Sequence, residues 1–229
     1  RPQPLPRNHN LQAVDHPYLH NMEYTTSLDA CAIRACAALG ITKSVGEEYP
    51  ALTELPEPRK HLIGLYSGGT LCYEAQNLYH QYFDEYPLSN VPLYPEYKAG
   101  DVFAVRQDCM IDLGSDEFTV GRAHPMIDYS LRIKFLEQLG LRDDVALVLM
   151  DIVLGYGSNP DPASELIPVL SRIGKEILVI FHVLGTEADP QNAKLQADRL
   201  REAGVVVFRS HFAAADFAMR CLQQKRRMQ

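Results

Sequence analysis

The most restrictive feature of this 229-residue chain is a regular alternation of short apolar runs with helical segments. The clearest run is VALVLMDIVL, residues 145–154, which is apolar throughout apart from Asp151. A continuous run of this length is typical of a parallel strand buried on both faces. Further runs occupy residues 61–66, 109–113, 176–184 and 204–208. Two of the helices between them are predicted to begin with Asp161 as cap before Pro162 and with Asp189 before Pro190. The pattern predicts an α/β fold with a doubly wound parallel sheet of five strands, in the flavodoxin-like order 2-1-3-4-5.

The segment before the first predicted strand has a different composition. Residues 1–24 lack hydrophobic periodicity and are predicted to form an extended arm. Residues 25–40 are predicted to form one helix, with a Thr26/Ser27 cap and a glycine stop. Because residues 41–60 are rich in proline and acids, we expect a linker there and two units, 1–60 and 61–229. The proline-rich opening at Arg1 indicates a fragment, a processed chain or one half of a split polypeptide.

The net charge and the cysteine pattern limit the classes of protein to which this chain could belong. The 22 Lys and Arg against 29 Asp and Glu give a net charge of −7, the wrong sign for holding nucleic acid through phosphate contacts. Five cysteines without a CxxC pair favour reduced thiols and a cytoplasmic location. No run approaches the ~18 apolar residues of a membrane span, and the start has no signal-peptide core. We therefore expect neither a nucleic-acid nor a membrane partner.

Two glycine-rich turns follow the first and third predicted strands, at the switch point where doubly wound sheets bind ligands. Each turn leads into a helix whose free N–H groups and partial positive charge favour an anion. For each turn alone, the alternative is a tight strand-to-helix connection without a ligand. Together they favour a small anionic substrate held by oriented amides rather than by net charge. The predicted phosphate-binding residues are Ser67, Gly68, Gly69, Thr70, Gly155, Tyr156, Gly157, Ser158 and Asn159.

The loop after the second predicted strand, residues 112–128, is the densest polar cluster. Arg122 can fork onto a carboxylate or phosphate, and His124 can act as acid, base or phosphoryl acceptor. These two are the predicted catalytic residues. The alternative is a surface arginine paired with Asp116 or Glu117, and a histidine that only bonds its own loop. The residues predicted to position the substrate are Gly121, Asp128, Asp151, Thr186 and Glu187.

The carboxylates of this region leave a role for Mg²⁺ open. Asp112, Asp116, Glu117, Asp128 and Asp151 carry the oxygen ligands that Mg²⁺ prefers. Carboxylates at strand ends are also ordinary helix caps and solvated loop residues. We therefore assign no metal-ligand set, although Mg²⁺ binding is possible.

Several longer segments carry a resemblance to a known family. They are GLYSGGTLCYEA (64–75), IDLGSDEFTVGRAHPMID (111–128), LVLMDIVLGYGSNPDPA (147–163) and GTEADPQ (185–191). Together they resemble the carboxyl-terminal half of FdrA-type proteins, which are acyl-CoA synthetase-like relatives of succinyl-CoA synthetase. SLDACAIRACAALG (27–40) is similar to the helix that ends the preceding half of those proteins. The resemblance covers residues 25–217.

The resemblance implies a flavodoxin-like CoA-ligase-type domain, similar to the carboxyl-terminal domain of the succinyl-CoA synthetase β chain. In that superfamily, one helix from each half points its amino end at a phosphorylated intermediate. The helix that begins near Ser158 to Asp161 matches the position of one of them. The sequence contains no Rossmann-type CoA-binding half, ATP-grasp domain or GHAGA-like phosphohistidine segment. The resemblance therefore implies that this chain has partners, namely the other half of the enzyme, which is of the Rossmann type and binds CoA, and further subunits.

The resemblance also implies a reaction, the transfer of a carbamoyl or acyl group through a phosphate-activated intermediate. The most specific expectation is oxamate carbamoyltransferase-type activity in purine or allantoin breakdown. Carbamoyl phosphate or CoA would then be a substrate, and we expect no cofactor bound by this chain alone. The alternatives are an acid-thiol ligase subunit of the acyl-CoA synthetase kind and a non-catalytic assembly module that docks a partner through its arm. The residues alone do not distinguish carbamoyl transfer from acyl-CoA formation.

Overall fold

A computed structural model describes residues 24–42, 47–173 and 176–228. Its strands are β1 (His61–Tyr66), β2 (Leu88–Ser89), β3 (Cys109–Asp112), β4 (Val145–Val153), β5 (Leu178–Leu184) and β6 (Val206–Phe208). Its helices are α1 (Leu28–Ala38), α2 (Gly69–Phe83), α3 (Asp116–Thr119), α4 (Ser130–Gly140), α5 (Pro162–Ile173), α6 (Ala193–Glu202) and α7 (His211–Arg227). A single 3₁₀ turn, Pro95–Tyr97, interrupts the long connection between β2 and β3.

The sheet of the described residues is entirely parallel, in the order β2-β3-β1-β4-β5-β6. The five predicted strands are β1, β3, β4, β5 and β6, and their order confirms the flavodoxin-like prediction. The strand count was wrong, because β2 adds a sixth strand at the edge beside β3. It is only two residues long and lies in a proline-rich connection, so it leaves no periodic pattern in the sequence.

Helices cover both faces of the sheet and create two apolar layers. On one face, α2 and α7 pack together over β1, β4 and β5. On the other face, α4, α5 and α6 form the second layer. The strand between the layers, β4, is buried along nearly its whole length. The turns that lead into α2 and α5 therefore reach the carboxyl edge of the sheet from opposite faces.

Side-chain hydrogen bonds at the helix starts explain one confirmed prediction and one wrong prediction. Asp161 precedes α5 and accepts the backbone N–H of Ser164 at 3.4 Å, as expected of a capping residue, and its other oxygen accepts the Ser164 hydroxyl at 2.6 Å. The prediction that Asp189 and Pro190 open the next helix is wrong. Asp189 instead accepts the backbone N–H of Thr186 at 2.6 Å, so its carboxylate belongs to a turn. Asn192 caps α6 by accepting the N–H of Leu195.

Helix α1 is attached to the sheet domain through polar contacts near its amino end. Ser27 caps it by accepting the N–H of Ala30, which confirms the predicted start. The Leu28 N–H donates to Glu74 at 2.7 Å, and the Ser210 hydroxyl donates to Asp29. No residue of α1 is buried. The predicted arm lies outside the described residues except for Tyr24, and the unit boundary at residue 60 stays a prediction.

All five cysteines are free thiols. Burial raises the pKa of Cys109 to about 12, and it also raises that of Cys72. Among the helices of residues 24–42, 47–173 and 176–228, none combines the length and apolar character needed to cross a membrane.

Candidate functional site

A row of polar side chains crosses the carboxyl edge of the otherwise apolar sheet. Asp112 of β3 pairs in register with Tyr66 of β1, and Asp151 of β4 pairs with His182 of β5. Because Leu65 pairs with Met150, Tyr66 and Asp151 stand level with each other. All four polar residues of the row are buried. The switch point between β1 and β4 therefore lies in the middle of this row.

The centre of the row is a buried ion pair between Asp151 and Arg132 of α4. The Arg132 Nη2 atom is 2.6 Å from Asp151 Oδ1, and the two side chains are 0% and 1% exposed. Arg132 also donates to the Asp151 carbonyl and to the Ser67 hydroxyl. The Ser67 N–H donates to both carboxylate oxygens at 2.9 and 3.0 Å. Asp151 therefore fixes the start of the Ser67 loop rather than reaching a ligand itself.

The loops after β1 and β3 meet at Gly114, beside this ion pair. A Cβ at Gly114 would lie 2.3 Å from the Ser67 carbonyl, 3.0 Å from His124 Nε2 and 3.2 Å from Asp112 Oδ1. Glycine is therefore required here for close approach of the loops after β1 and β3. Burial and the charge of Asp151 raise the pKa of Asp112, whereas the Gly114 N–H opposes that rise. The structure thus brings predicted residues Ser67 and His124 together, around a carboxyl group with an elevated pKa.

The rest of the first glycine-rich turn forms the amino end of α2. Gly68 is the N-cap residue, and Gly69 and Thr70 are the first helical residues. In the part of the chain that the structure describes, no side chain caps this end of α2. Its first N–H groups are the ones that a helix cannot satisfy internally. The start of α2 lies beside Asp112, because a Cβ at Gly69 would be 3.4 Å from Asp112 Oδ2.

The second glycine-rich turn is held in place by Gln191, which precedes α6. Gln191 donates to the carbonyls of Gly155 and Asn159 at 2.8 and 3.1 Å and accepts the N–H of Gly155. The Asn159 N–H donates to the carbonyl of Met126 at 2.8 Å, which joins this turn to the loop that carries His124. The predicted residues Tyr156 and Gly157 are exposed and Ser158 is half-buried, with Gly157 at φ +84°.

Arg122 and Asp128 lie at a different place from His124. Both line a cavity of about 400 Å³ against the amino end of α4, and His124 is not part of its wall. Gly121, with φ +75°, turns the chain just before Arg122. The alternative considered for Arg122, a surface pair with Asp116 or Glu117, does not form among the salt bridges of the described residues. The two predicted catalytic residues therefore face different spaces.

Thr186 and Glu187 lie further along the same edge. They line a separate cavity of about 600 Å³ between the end of β5, α6 and β6. Thr186 is engaged with Asp189, and both Thr186 and Glu187 are exposed. Neither residue contacts the junction at Gly114 in the hydrogen bonds of the described residues.

The carboxylates considered for Mg²⁺ do not fit a metal site. Within the described ranges, no group of three or more His, Cys, Asp or Glu side chains could hold a metal ion. Asp151 is paired with Arg132, and Asp128 accepts the N–H of Ser130 at 2.8 Å. Asp151 and Asp128 thus already have protein donors, and we route no chemistry through Mg²⁺.

A second buried polar cluster continues the row toward α7. Glu74 accepts hydrogen bonds from the Leu28 N–H and pairs with His211, whose ring meets Tyr66 and His182 at centroid distances of 5.4 and 6.0 Å. Burial lowers the pKa of His182 to about 4, so its ring is neutral near pH 7. Burial opposes ionisation of Glu74, but the hydrogen bond from His211 holds its pKa below the usual range.

Sequence reasoning missed Arg132, although a signal was present. Arg132 falls on the same helical stripe as Phe135, Leu136 and Leu139, which are buried. A charged residue inside such a stripe requires a buried partner. Gln191, His182 and His211 had no comparable signal, because their roles depend on contacts between distant segments.

We predict that Gly114→Ala destabilises the protein by about 1–3 kcal/mol, the usual range for overpacking a well-packed site. The new Cβ would lie 2.3 Å from a backbone oxygen, which a side-chain rotation cannot relieve. Gly100→Ala is the matched control, because a Cβ there meets nothing within 4 Å. The measurement is the free energy of unfolding in urea. Equal stability of the two variants would contradict the packing at Gly114.

Comparison with known proteins agrees with this architecture. The CoA-ligase family matches residues 65–221, which is more than half of the chain. "Uncharacterized protein YahF" of Escherichia coli strain K12 is 34% identical over 161 residues, which cover 67% of this chain and 31% of that protein. The chain thus spans less than a third of that relative. The crystal structure of PH0766 from Pyrococcus horikoshii OT3 aligns with 86% of this chain and 44% of its own, at a TM-score of 0.45 and 12% identity. Because the family match extends over more than half of its length, this chain belongs to the CoA-ligase family.

Proposed function

We propose that this chain is a subunit or half-chain of an FdrA-type, succinyl-CoA-synthetase-like enzyme. It transfers a carbamoyl or acyl group through a phosphate-activated intermediate. The specific reaction that we propose is of the oxamate carbamoyltransferase type, in purine or allantoin breakdown. Membership of the CoA-ligase family supports the general class, and the segments that resemble FdrA-type proteins support the specific reaction.

The observation that carries this proposal is the junction at Gly114. It places an uncapped helix end, a buried serine loop and the imidazole of His124 side by side. Backbone N–H groups at the start of α2 are suited to a phosphate, because they carry partial positive charge without a net charge on the protein. This arrangement suits an acidic chain, whose overall field repels anions.

His124 is oriented as a proton donor in its neutral form. Its Nδ1 accepts the N–H of Met126 at 3.3 Å, so the remaining ring proton lies on Nε2. Nε2 faces the junction beside Gly114. We propose that this N–H stabilises the charge that develops on the transferring group, while the α2 amides hold the phosphate. Arg122 adds positive charge from the neighbouring cavity.

The proposed reaction requires partners. The chain spans less than a third of the relative YahF, and the resemblance implies a Rossmann-type CoA-binding other half. We propose that this half and further subunits complete the site, with carbamoyl phosphate or CoA as a substrate. The family match favours the alternative reaction, acid-thiol ligation, in which the acyl group passes to the thiol of CoA. Both reactions use the same phosphate-binding residues of this chain.

The test is turnover of carbamoyl phosphate and of an acyl phosphate by the assembled complex. We expect His124→Gln and Gly69→Val each to reduce kcat about a hundredfold or more, as when a transition-state donor is lost or displaced. A Cβ at residue 69 would lie 3.2 Å from the Tyr73 ring, so the larger valine side chain would crowd the start of α2. Gly100→Val is the control, since it lies in open space. Unaltered turnover in both site variants would refute the proposed role of the junction.

A second candidate function, a non-catalytic assembly module, is favoured by the surface of α1. Leu28, Ile33, Leu39 and Ile41 are all more than a third exposed, and no residue of α1 is buried. A row of exposed apolar side chains is typical of a protein contact surface. An assembly module would use this surface and leave the junction at Gly114 without a catalytic role.

If α1 is such a surface, Leu39→Glu should weaken association with the partner subunits and leave the stability of the isolated chain within about 0.5 kcal/mol, as for other exposed positions. Leu141→Glu is the matched control, because Leu141 is 89% exposed at the end of α4. The measurement is the mass of the purified complex by sedimentation. An intact complex with Leu39→Glu would count against a contact through α1, and activity that survives every junction variant would favour the assembly role.

A further inference from the structure

The cavity beside α4 is lined by residues that, apart from Arg122, have no role in the proposed phosphate site. It has a volume of about 400 Å³, within the range of small-molecule sites. The loop after β3 forms one side of it and the first turn of α4 forms the other. The lining includes Arg122, Asp128, Lys134, Leu113, Phe118 and Leu131.

Two cations in this cavity lack an ion-pair partner. Many arginines of the described residues form salt bridges, but Arg122 forms none. Lys134 also forms no salt bridge there, and its ammonium group lies 5.4 Å from the centre of the Phe103 ring. Both side chains belong to exposed residues, so a ligand can reach them. In a chain of net charge −7, two unpaired cations in one cavity form a local positive centre.

Asp128, the one acid in the cavity wall, is already engaged by its own loop. Its Oδ1 accepts the backbone N–H of Ser130 at 2.8 Å. That N–H and the Ser130 hydroxyl hold the pKa of Asp128 below its usual range. The carboxylate is therefore ionised and bound to the start of α4. The cavity wall carries two positive charges against one negative charge, and the negative charge has hydrogen-bond donors of its own.

Apart from Ser130, the rest of the wall is apolar. Leu113 at the end of β3 and Phe118 of α3 are buried beneath the cavity, and Leu131 of α4 is half-buried beside it. An inorganic ion has no apolar atoms that could pack against this part of the wall. A molecule that combines a charged group with a short apolar part would use both halves of the cavity.

We propose that this cavity binds a small organic anion, with its charged group between Arg122 and Lys134 and its apolar part against Leu113, Phe118 and Leu131. The site is separate from the junction at Gly114, because neither Ser67 nor His124 belongs to its wall. It goes beyond the proposed function, because binding there requires no transfer chemistry. Sequence analysis did not identify Lys134 as a candidate binding residue. The same helix carries Arg132 into the buried ion pair, so α4 connects the two sites.

The test measures binding of butyrate to the full 229-residue chain by saturation-transfer NMR on the butyrate protons. We expect Arg122→Met and Lys134→Met each to raise the Kd about tenfold, as for the loss of one charge-assisted contact. Arg209→Met is the control, because Arg209 is a cation in the separate cavity near Thr186. We expect that variant to bind butyrate as the wild type does. Propyl phosphate, used in parallel, shows whether the head group bound best is a carboxylate or a phosphate.

Three results would overturn the proposal. They are the absence of butyrate binding to the wild type, wild-type affinity in both Arg122→Met and Lys134→Met, and loss of binding in Arg209→Met. Inorganic phosphate has no apolar part and should bind at least about tenfold more weakly than propyl phosphate, given the buried apolar wall. Equal or tighter binding of inorganic phosphate would refute the role of Leu113, Phe118 and Leu131. Since no turnover is measured, failure of the proposed transferase activity leaves these results unchanged.

Discussion

The buried ion pair between Arg132 and Asp151 is the interaction on which the carboxyl edge of this sheet depends. Taking both charges out of water is costly, and the cost is offset only where geometry and further hydrogen bonds are good. Here the Ser67 backbone and hydroxyl, together with the Asp151 carbonyl, supply those bonds. The same contacts join the end of β1, the end of β4 and the first turn of α4. The loop that starts α2 is thereby fixed at the switch point before any ligand arrives.

The surroundings of this pair explain how an acidic chain can hold an anion. The row Asp112, Tyr66, Asp151 and His182 is negative or neutral, since burial keeps the His182 ring uncharged near pH 7. Attraction for an anion must therefore come from the unpaired N–H groups of α2, from His124 Nε2 and from cations outside the row. The structure separates these donors into the junction at Gly114 and the α4 cavity. The chain thus offers two separate places at which an anionic group could bind.

Hydrophobic patterning predicted the parts of the fold that depend on burial along one segment. The run at 145–154 became β4, and the order of the five predicted strands followed from their alternation with helices. β2 was missed because two residues form no pattern, and the start of α6 was misplaced because Asp189 bonds to Thr186 instead of capping a helix. At the site, sequence reasoning identified the loops of Ser67 and His124 but could not separate Arg122 from His124. That separation depends on side-chain directions within a single loop, which residue type and spacing do not specify.

The most direct test of this account is a double-mutant cycle on the ion pair, read as free energies of unfolding in urea. Arg132→Met and Asp151→Leu should each cost about 3–5 kcal/mol, because each leaves one buried charge without its partner. The double variant should be more stable than either single variant, since it removes both charges together. Losses that simply add in the double variant would contradict the claim that this pair organises the carboxyl edge.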